Sequence, residues 1–400
     1  MFIKKIINFS LLLVALHTPL FASYVLSESE EQKTPHLGVW ITVFSPENVL
    51  GSKGNVDKLI TSCKKTGIDQ VYLQIYRADK AYYNSQITDK TPYETILSGA
   101  GSDTINYLLN EANKNEIKIY AWLNLLSLAQ NTDANILKKY GEGIITKDPY
   151  GRTSLQNNNK DALDKYYIRE NQLFLEPGDK RVRDYLTSIA EEIIKTYPKF
   201  SGLHLDYIRY PAAIPFIPGS RFSSHGISYG YTDINTANFK EANGLDINNM
   251  YQTRKNFKKW DDWRKKQVTL LVKEISNRVR SISPSYEISC TIVPSIERTY
   301  LVTFQDWTEW LKKNYIDYIV VMNYTDDADF FELTSKSLLE PDFGGKIYMG
   351  VGAYLFKDNP DLFKNQLESL KKISPDGIII FSYDNIAENE EFQEILSEEF

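Results

Sequence analysis

The sequence predicts an α/β fold of one kind, a (β/α)8 TIM barrel with long inserts after its third and fourth strands. Three observations predict it. Eight short apolar runs alternate with amphipathic helical runs over about 360 residues. The apolar runs are near-continuous, as strands of a parallel sheet covered on both faces must be. The two longest stretches without strand or helix periodicity follow the third and fourth runs, on the edge where a barrel carries its functional loops.

Strand one is "LGVWITV" (37–43). A helix over 55–67 follows, with apolar residues three and four apart and Gly67 as its stop. Strand two is "QVYLQIY" (70–76). The helix over 103–116 has Asp103 as its cap, and strand three is "KIYAWLN" (118–124). Residues 125–175 contain "NNNK" and "DPYG" and few apolar runs, so they read as an excursion. A helix over 179–197 leads into strand four, "SGLHLDYIRYP" (201–211). A second excursion, 211–255, is rich in Gly, Ser, Asn and Pro. A long helix over 260–282 precedes strand five (287–293), and a helix over 303–315 precedes strand six (317–324). A short helix over 331–340, strand seven (346–354), a helix over 360–373, strand eight (377–384) and a last helix over 389–400 complete the pattern. A doubly wound sheet is the competing arrangement. It predicts Gly-x-Gly-x-x-Gly after strand one, and "WITVFSPENVLGSKGN" lacks that spacing.

Ahead of the barrel, Lys4 and Lys5 precede "IINFSLLLVAL", and Ala22 suits the last position before a cleavage site. Residues 1–22 therefore read as a signal peptide, with an uncleaved anchor as the alternative. Residues 23–36 read as a flexible lead-in and 37–400 as one domain. The expected location is periplasmic, cell-surface or secreted. No other stretch approaches the ~18 apolar residues of a membrane span.

Composition narrows the function classes. With 42% hydrophobic and 24% charged residues the chain is globular in character. A net charge of −6 excludes a basic nucleic-acid footprint. Cys63 and Cys290 read as buried free thiols. His17, His36, His204 and His225 are too dispersed for a metal site, and no metal or cofactor is expected. The 27 tyrosines supply flat faces with a hydroxyl, a surface suited to sugar rings.

In a barrel, polar residues at the C-terminal strand ends converge on one mouth. Strand two ends in Gln74, Arg77, Asp79 and Tyr83. Strand three ends in Trp122 and Asn124, and strand four in His204, Asp206, Arg209 and Tyr210. Strand six offers Asn323, Tyr324, Asp326 and Asp327, strand seven Tyr354, and strand eight Ser382, Tyr383 and Asp384. Carboxylates, amides and rings facing one cavity suit a polyhydroxylated ligand. His204 and Asp206 share a strand face, being two apart.

Asp206 is the leading candidate for catalysis, as nucleophile, acid or electrostatic stabiliser. A structural ion pair to Arg209 is the bland alternative. His204 reads as an orienting donor or a core histidine. Arg209 reads as holding Asp206 ionised or capping a loop carbonyl, and Asn124 as a ligand contact or a local turn. Arg77 and Asp79 read as ligand contacts or as partners of each other. Glycoside hydrolysis calls for a second carboxylate. Asp384 is favoured over Asp79, Asp326, Asp327, Glu176 and Glu297.

The ordered segments "VYLQIYRADKAYYNS", "LLNEANKNEIKIYAWLN", "FLEPGDKRVRDYLTSIAEEIIKTY", "GLHLDYIRYP" and "DDWRKKQV" resemble the glycosyl hydrolase-like 10 family of bacterial envelope proteins. The resemblance is strong over about residues 37–270. It implies a TIM-barrel glycoside hydrolase acting on cell-wall glycan or exopolysaccharide. It also implies that Arg77, Asp79, Tyr83, Trp122, Asn124, His204, Asp206, Arg209 and Tyr210 belong to the site. Asn113 and Tyr120 stand where the family often has His. A chitinase-type acidic motif does not fit: with its last Asp on Asp206, its general acid would be Ile208. A glycan-binding protein without catalysis, on the same scaffold, is the alternative function.

Overall fold

The computed structural model describes residues 34–155, 167–215, 227–250 and 253–400. The predicted signal peptide and most of the lead-in lie outside the described residues.

Eight parallel strands and their following helices run in strict alternation. They are β1 (His36–Ile41), α1 (Lys53–Thr66), β2 (Gln70–Arg77), α2 (Thr104–Lys114), β3 (Lys118–Asn124), α3 (Lys180–Thr196), β4 (Gly202–Asp206) and α4 (Arg254–Ile282). Next come β5 (Glu287–Ile292), α5 (Trp307–Lys312), β6 (Tyr318–Met322), α6 (Ala328–Leu339), β7 (Lys346–Gly352), α7 (Pro360–Ile373), β8 (Gly377–Phe381) and α8 (Glu390–Glu399). β1 pairs in parallel with both β2 and β8, which closes the sheet. The (β/α)8 barrel read from the sequence is therefore the fold.

Local chemistry sets the element ends. Asp103 accepts from the amides of Ile105 and Asn106 at the start of α2, and Asp179 accepts from Arg181 at the start of α3. Gly67 closes α1 with a left-handed φ of 70°. α4 begins at Arg254, earlier than its apolar periodicity, because Thr253 caps it through the Asn256 amide. The helix expected over 303–315 is shorter, α5 with Asp306 as its cap, and a further helix, Ile296–Leu301, capped by Ser295, precedes it. A helix at Thr91–Ala100 was not anticipated.

Strand periodicity divides the core in two. Val39, Val71, Leu203, Ile288, Ile319 and Ile380 face outward and pack against helix residues such as Leu59, Leu186, Val272 and Leu367. Trp40, Tyr72, Tyr120, Trp122, Tyr318 and Tyr348 face inward as a separate aromatic cluster. Tyr72 stacks on Tyr120 with ring centroids 4.9 Å apart, and Tyr318 on Tyr348 at 4.4 Å. Glycine makes room for them: a Cβ on Gly377 would lie 2.5 Å from the Tyr348 ring. Burying such rings stabilises the barrel by about 2–3 kcal/mol each. The lower barrel is thus a solid floor beneath the mouth.

The two excursions are structured where they are described. Ser127–Ala129 pairs antiparallel with Leu173–Phe174, and Tyr167–Arg169 pairs with Ala213–Pro215. The second pairing ties the insert after β3 to the insert after β4. Helices Asn135–Tyr140 and Asp233–Asn243 also lie in these inserts. Cys63 and Cys290 are buried free thiols. No described helix is long and apolar enough to cross a membrane.

Candidate active site

Asp206 is the last residue of β4 and lies in register with Asn124 on β3. Thr291 Oγ1 on β5 donates to its Oδ1 at 2.6 Å, and the Tyr207 amide donates to the same atom at 2.7 Å. Trp122 Nε1 donates to Oδ2 at 3.1 Å. Three strands therefore hold one carboxylate, and Oδ2 carries a single donor, which leaves it acceptor capacity. Burial raises the Asp206 pKa above the usual carboxylate range. The Thr291, Tyr207 and Trp122 donors and the Arg209 charge oppose that shift. A φ of 50° at Tyr207 turns the chain sharply away just after the acid.

Next to Asp206, Asn124 Oδ1 accepts from Gln74 Nε2 at 3.1 Å, and Gln74 Oε1 accepts from the Val43 amide. Tyr324 follows β6 and stacks on Phe381 with centroids 5.7 Å apart. Tyr354 stands perpendicular to both rings with centroids at 6.2 Å and is 44% exposed. Burial, and then the Asp206 charge, push the Tyr324 phenol upward. Arg77 lies 4.8 Å over the ring of Phe44, which is exposed. Asp384 accepts from the hydroxyls of Ser45 and Ser382 where β1 and β8 meet. The mouth end of the barrel thus carries Arg77, Trp122, Asn124, Asp206, Tyr324 and Asp384, at or near the ends of five strands.

Other sequence candidates are more deeply buried, 0–3% exposed against 5–6% for Trp122, Asn124 and Asp206. Asp79, 1% exposed, accepts from the hydroxyls of Tyr76, Thr88 and Tyr185 and from the Ile136 amide. Tyr83 donates to Glu192 on α3 at 2.8 Å and is fully buried. His204 is fully buried in the barrel. Its Nε2 accepts from Trp40 Nε1 at 3.1 Å, which leaves Nδ1 to donate to Ser289 Oγ at 2.8 Å. Burial lowers its pKa to about 3, so it stays neutral. Tyr210 donates to the buried Glu176, which also accepts from Thr146 and the Gly178 amide. Asn323 donates to Phe331 O and Ser335 Oγ, fixing the start of α6. Tyr383 is buried.

Arg209 makes no ion pair with Asp206, although its charge favours the ionised acid, and it donates to Tyr210 O at 3.1 Å, the loop-carbonyl role the sequence also offered. It makes a two-pronged ion pair with Glu170, at 2.6 and 3.0 Å, and Glu170 also accepts from the Ala212 amide. Burial works against its charge, yet Glu170 holds that charge in place. Among the competing acids, Asp327 caps α6 and Glu297 sits exposed in the helix Ile296–Leu301. Tyr120 is a floor residue whose hydroxyl donates to Glu287 at 2.5 Å. Sequence reading missed Thr291 and Glu170. Thr291 was legible, as the polar inward residue two positions after Ser289 on β5. Glu170 has no local signal, because its partner lies in the other insert.

A closed barrel whose mouth holds a strand-four acid among aromatic rings is the class of fold found in glycosidases. The catalytic domain of a β-amylase from Paenibacillus polymyxa superposes with a TM-score of 0.56 at 13% identity, covering 91% of this chain and 98% of that one. A β-galactosidase from Halorubrum lacusprofundi gives a TM-score of 0.56 at 8% identity, over 91% and 58% of the two chains. The chain belongs to the glycosyl hydrolase-like 10 family, whose model matches residues 36–338. Similar curated proteins are glycosyl hydrolase DigH of Escherichia coli K12, 22% identical over 84% of this chain and 77% of its own length, and glycosyl hydrolase YngK of Bacillus subtilis, 24% identical over 76% and 56%.

Proposed function

We propose that this chain hydrolyses O-glycosyl bonds in a bacterial cell-wall glycan or exopolysaccharide, with Asp206 as a working carboxylate. The observation that carries this reading is the setting of Asp206. It is a strand-end acid with donors on three sides, one oxygen with spare acceptor capacity, and an aromatic wall beside it. A carboxylate fixed in this way does not reorganise as positive charge develops on a sugar ring. Trp122, Asn124 and Tyr324 would contact the sugar, and Asp384 is the partner acid of this reading. Family membership and relatives named glycosyl hydrolases support it. The basic and then apolar N-terminus supports export to the periplasm, cell surface or medium.

Glycan binding without cleavage is the second reading. It is favoured by one observation, that Asp384, the partner acid of the first reading, is held by the hydroxyls of Ser45 and Ser382. Incubation of wild type and Asp206→Asn with denuded peptidoglycan and a polysaccharide panel separates the two. Product release by wild type alone supports hydrolysis. Equal binding by both forms, with no product from any glycan, supports the second reading.

A further inference from the structure

Arg77 ends β2, three residues beyond Gln74, on the rim of the mouth. Its guanidinium lies over the exposed Phe44 ring at 4.8 Å. The contact is a cation–π one and uses none of the guanidinium N–H donors, and the Arg77 side chain donates no hydrogen bond among the described residues. Other partly buried arginines hold acids: Arg183 with Glu274, Arg209 with Glu170, Arg264 with Asp261 and Arg280 with Asp317. Arg77 has no carboxylate partner among the described residues.

The chain also fixes where this cation stands. Arg77 pairs with Lys80 across a two-residue hairpin, Ala78–Asp79. Both turn residues have positive φ, 55° and 56°, a conformation that ordinarily selects Gly or Asn. The turn is held because Asp79 accepts four hydrogen bonds and Asn131 Nδ2 donates to Ala78 O at 2.8 Å. A neutral sugar needs amides and hydroxyls. A guanidinium without an acid partner among the described residues, set over a ring on a locked turn, matches an anion.

We infer that Arg77 selects for charge, taking a carboxylate borne by the glycan in its in-plane N–H fork. This rests on the glycan reading above and specifies its substrate class as a carboxylated glycan. Two sources carry that chemistry, a lactyl ether on an amino sugar and a uronic acid.

The test compares wild type, Arg77→Gln and Arg77→Lys on denuded peptidoglycan strands and on a polyuronate. Each glycan is used as such and after reduction of its carboxylates to alcohols. Binding and reducing-end release are measured, with thermal melting as a check on folding. Wild type should favour a carboxylated form by about 10-fold or more, the size of a charge-assisted pair. In Arg77→Gln the ratio of carboxylated to reduced glycan should fall to about one, whatever its absolute level, and Arg77→Lys should keep part of the preference. The glycan on which the preference is seen identifies the source. Equal action by wild type on both forms, or a preference that survives in Arg77→Gln, overturns the role of Arg77 and leaves the glycan reading standing. Neither binding nor release from any glycan overturns both.

Discussion

Trp122 Nε1 donates to Asp206 Oδ2 across 3.1 Å, from the middle of β3 to the end of β4. The two residues sit two positions out of register: Trp122 pairs with His204, while Asp206 pairs with Asn124. The indole therefore reaches up the barrel to the acid, and its ring closes one side of the mouth. A hydrogen bond to a charged group contributes about 1.5–3 kcal/mol. Trp122→Phe keeps the ring and deletes the donor. Its kcat/KM on a glycan substrate is expected to fall about 10- to 100-fold. Losing a donor to the ionised form also raises the Asp206 pKa further. If Asp206 works ionised, the acid limb of the pH–rate profile moves to higher pH. An unchanged profile with an unchanged rate would remove Asp206 from the chemistry.

His204 yields a pH prediction independent of any substrate. The unfolded chain takes up this proton near pH 6.5, whereas in the fold burial lowers the pKa to about 3. Stability from neutral His204 is therefore complete above pH 6.5 and is lost as pH falls from there toward 3. The slope reaches about 1.4 kcal/mol per pH unit. His204→Gln has no such proton to take up. Calorimetry at pH 7, 5.5 and 4.5 should show a variant of lower Tm at pH 7 whose Tm falls less than that of wild type on acidification.

How much was legible follows from the range over which each feature is determined. Strand and helix order came from periodicity, a local property, and α7 matches its predicted bounds of 360–373. The inward direction of Asp206 and His204 came from the two-residue repeat alone. Their difference did not. His204 and Asp206 share a face, but Trp40 and Ser289, distant in sequence, enclose the histidine. Asp79 shows the same limit. Next to Arg77 it looks like a site residue, and Tyr185 on α3 and the Ile136 amide make it an anchor. Which polar residue reaches the mouth depends on long-range packing, and a single sequence does not display that.

Asp79→Ala is expected to be among the costliest single changes outside the barrel core. It strands the hydroxyls of Tyr76 and Tyr185 and the Ile136 amide in buried surroundings. Each stranded group costs about 1–3 kcal/mol, partly relieved by water or rotation. A loss of about 3–5 kcal/mol in urea unfolding is expected. Ala78→Gly, in the same turn, removes a left-handed alanine and should change stability by less than about 1 kcal/mol. Equal effects of the two substitutions would contradict the anchoring role.

Tyr354 makes the converse case, a residue expected to matter for ligand and little for folding. Its ring is 44% exposed and stands perpendicular to Tyr324 and Phe381, so much of its surface remains available to a sugar. Tyr354→Ala removes that surface without opening a cavity in the core. KM on a glycan should rise about 3- to 10-fold, the equivalent of 0.5–1.5 kcal/mol for one aromatic contact, with kcat little changed. Tyr354→Phe should retain most of the affinity, since the ring rather than the hydroxyl is used. A fall in kcat with KM constant would place this ring against the reacting bond instead. A drop in Tm of the size expected for Asp79→Ala would show that it supports the rim rather than the ligand.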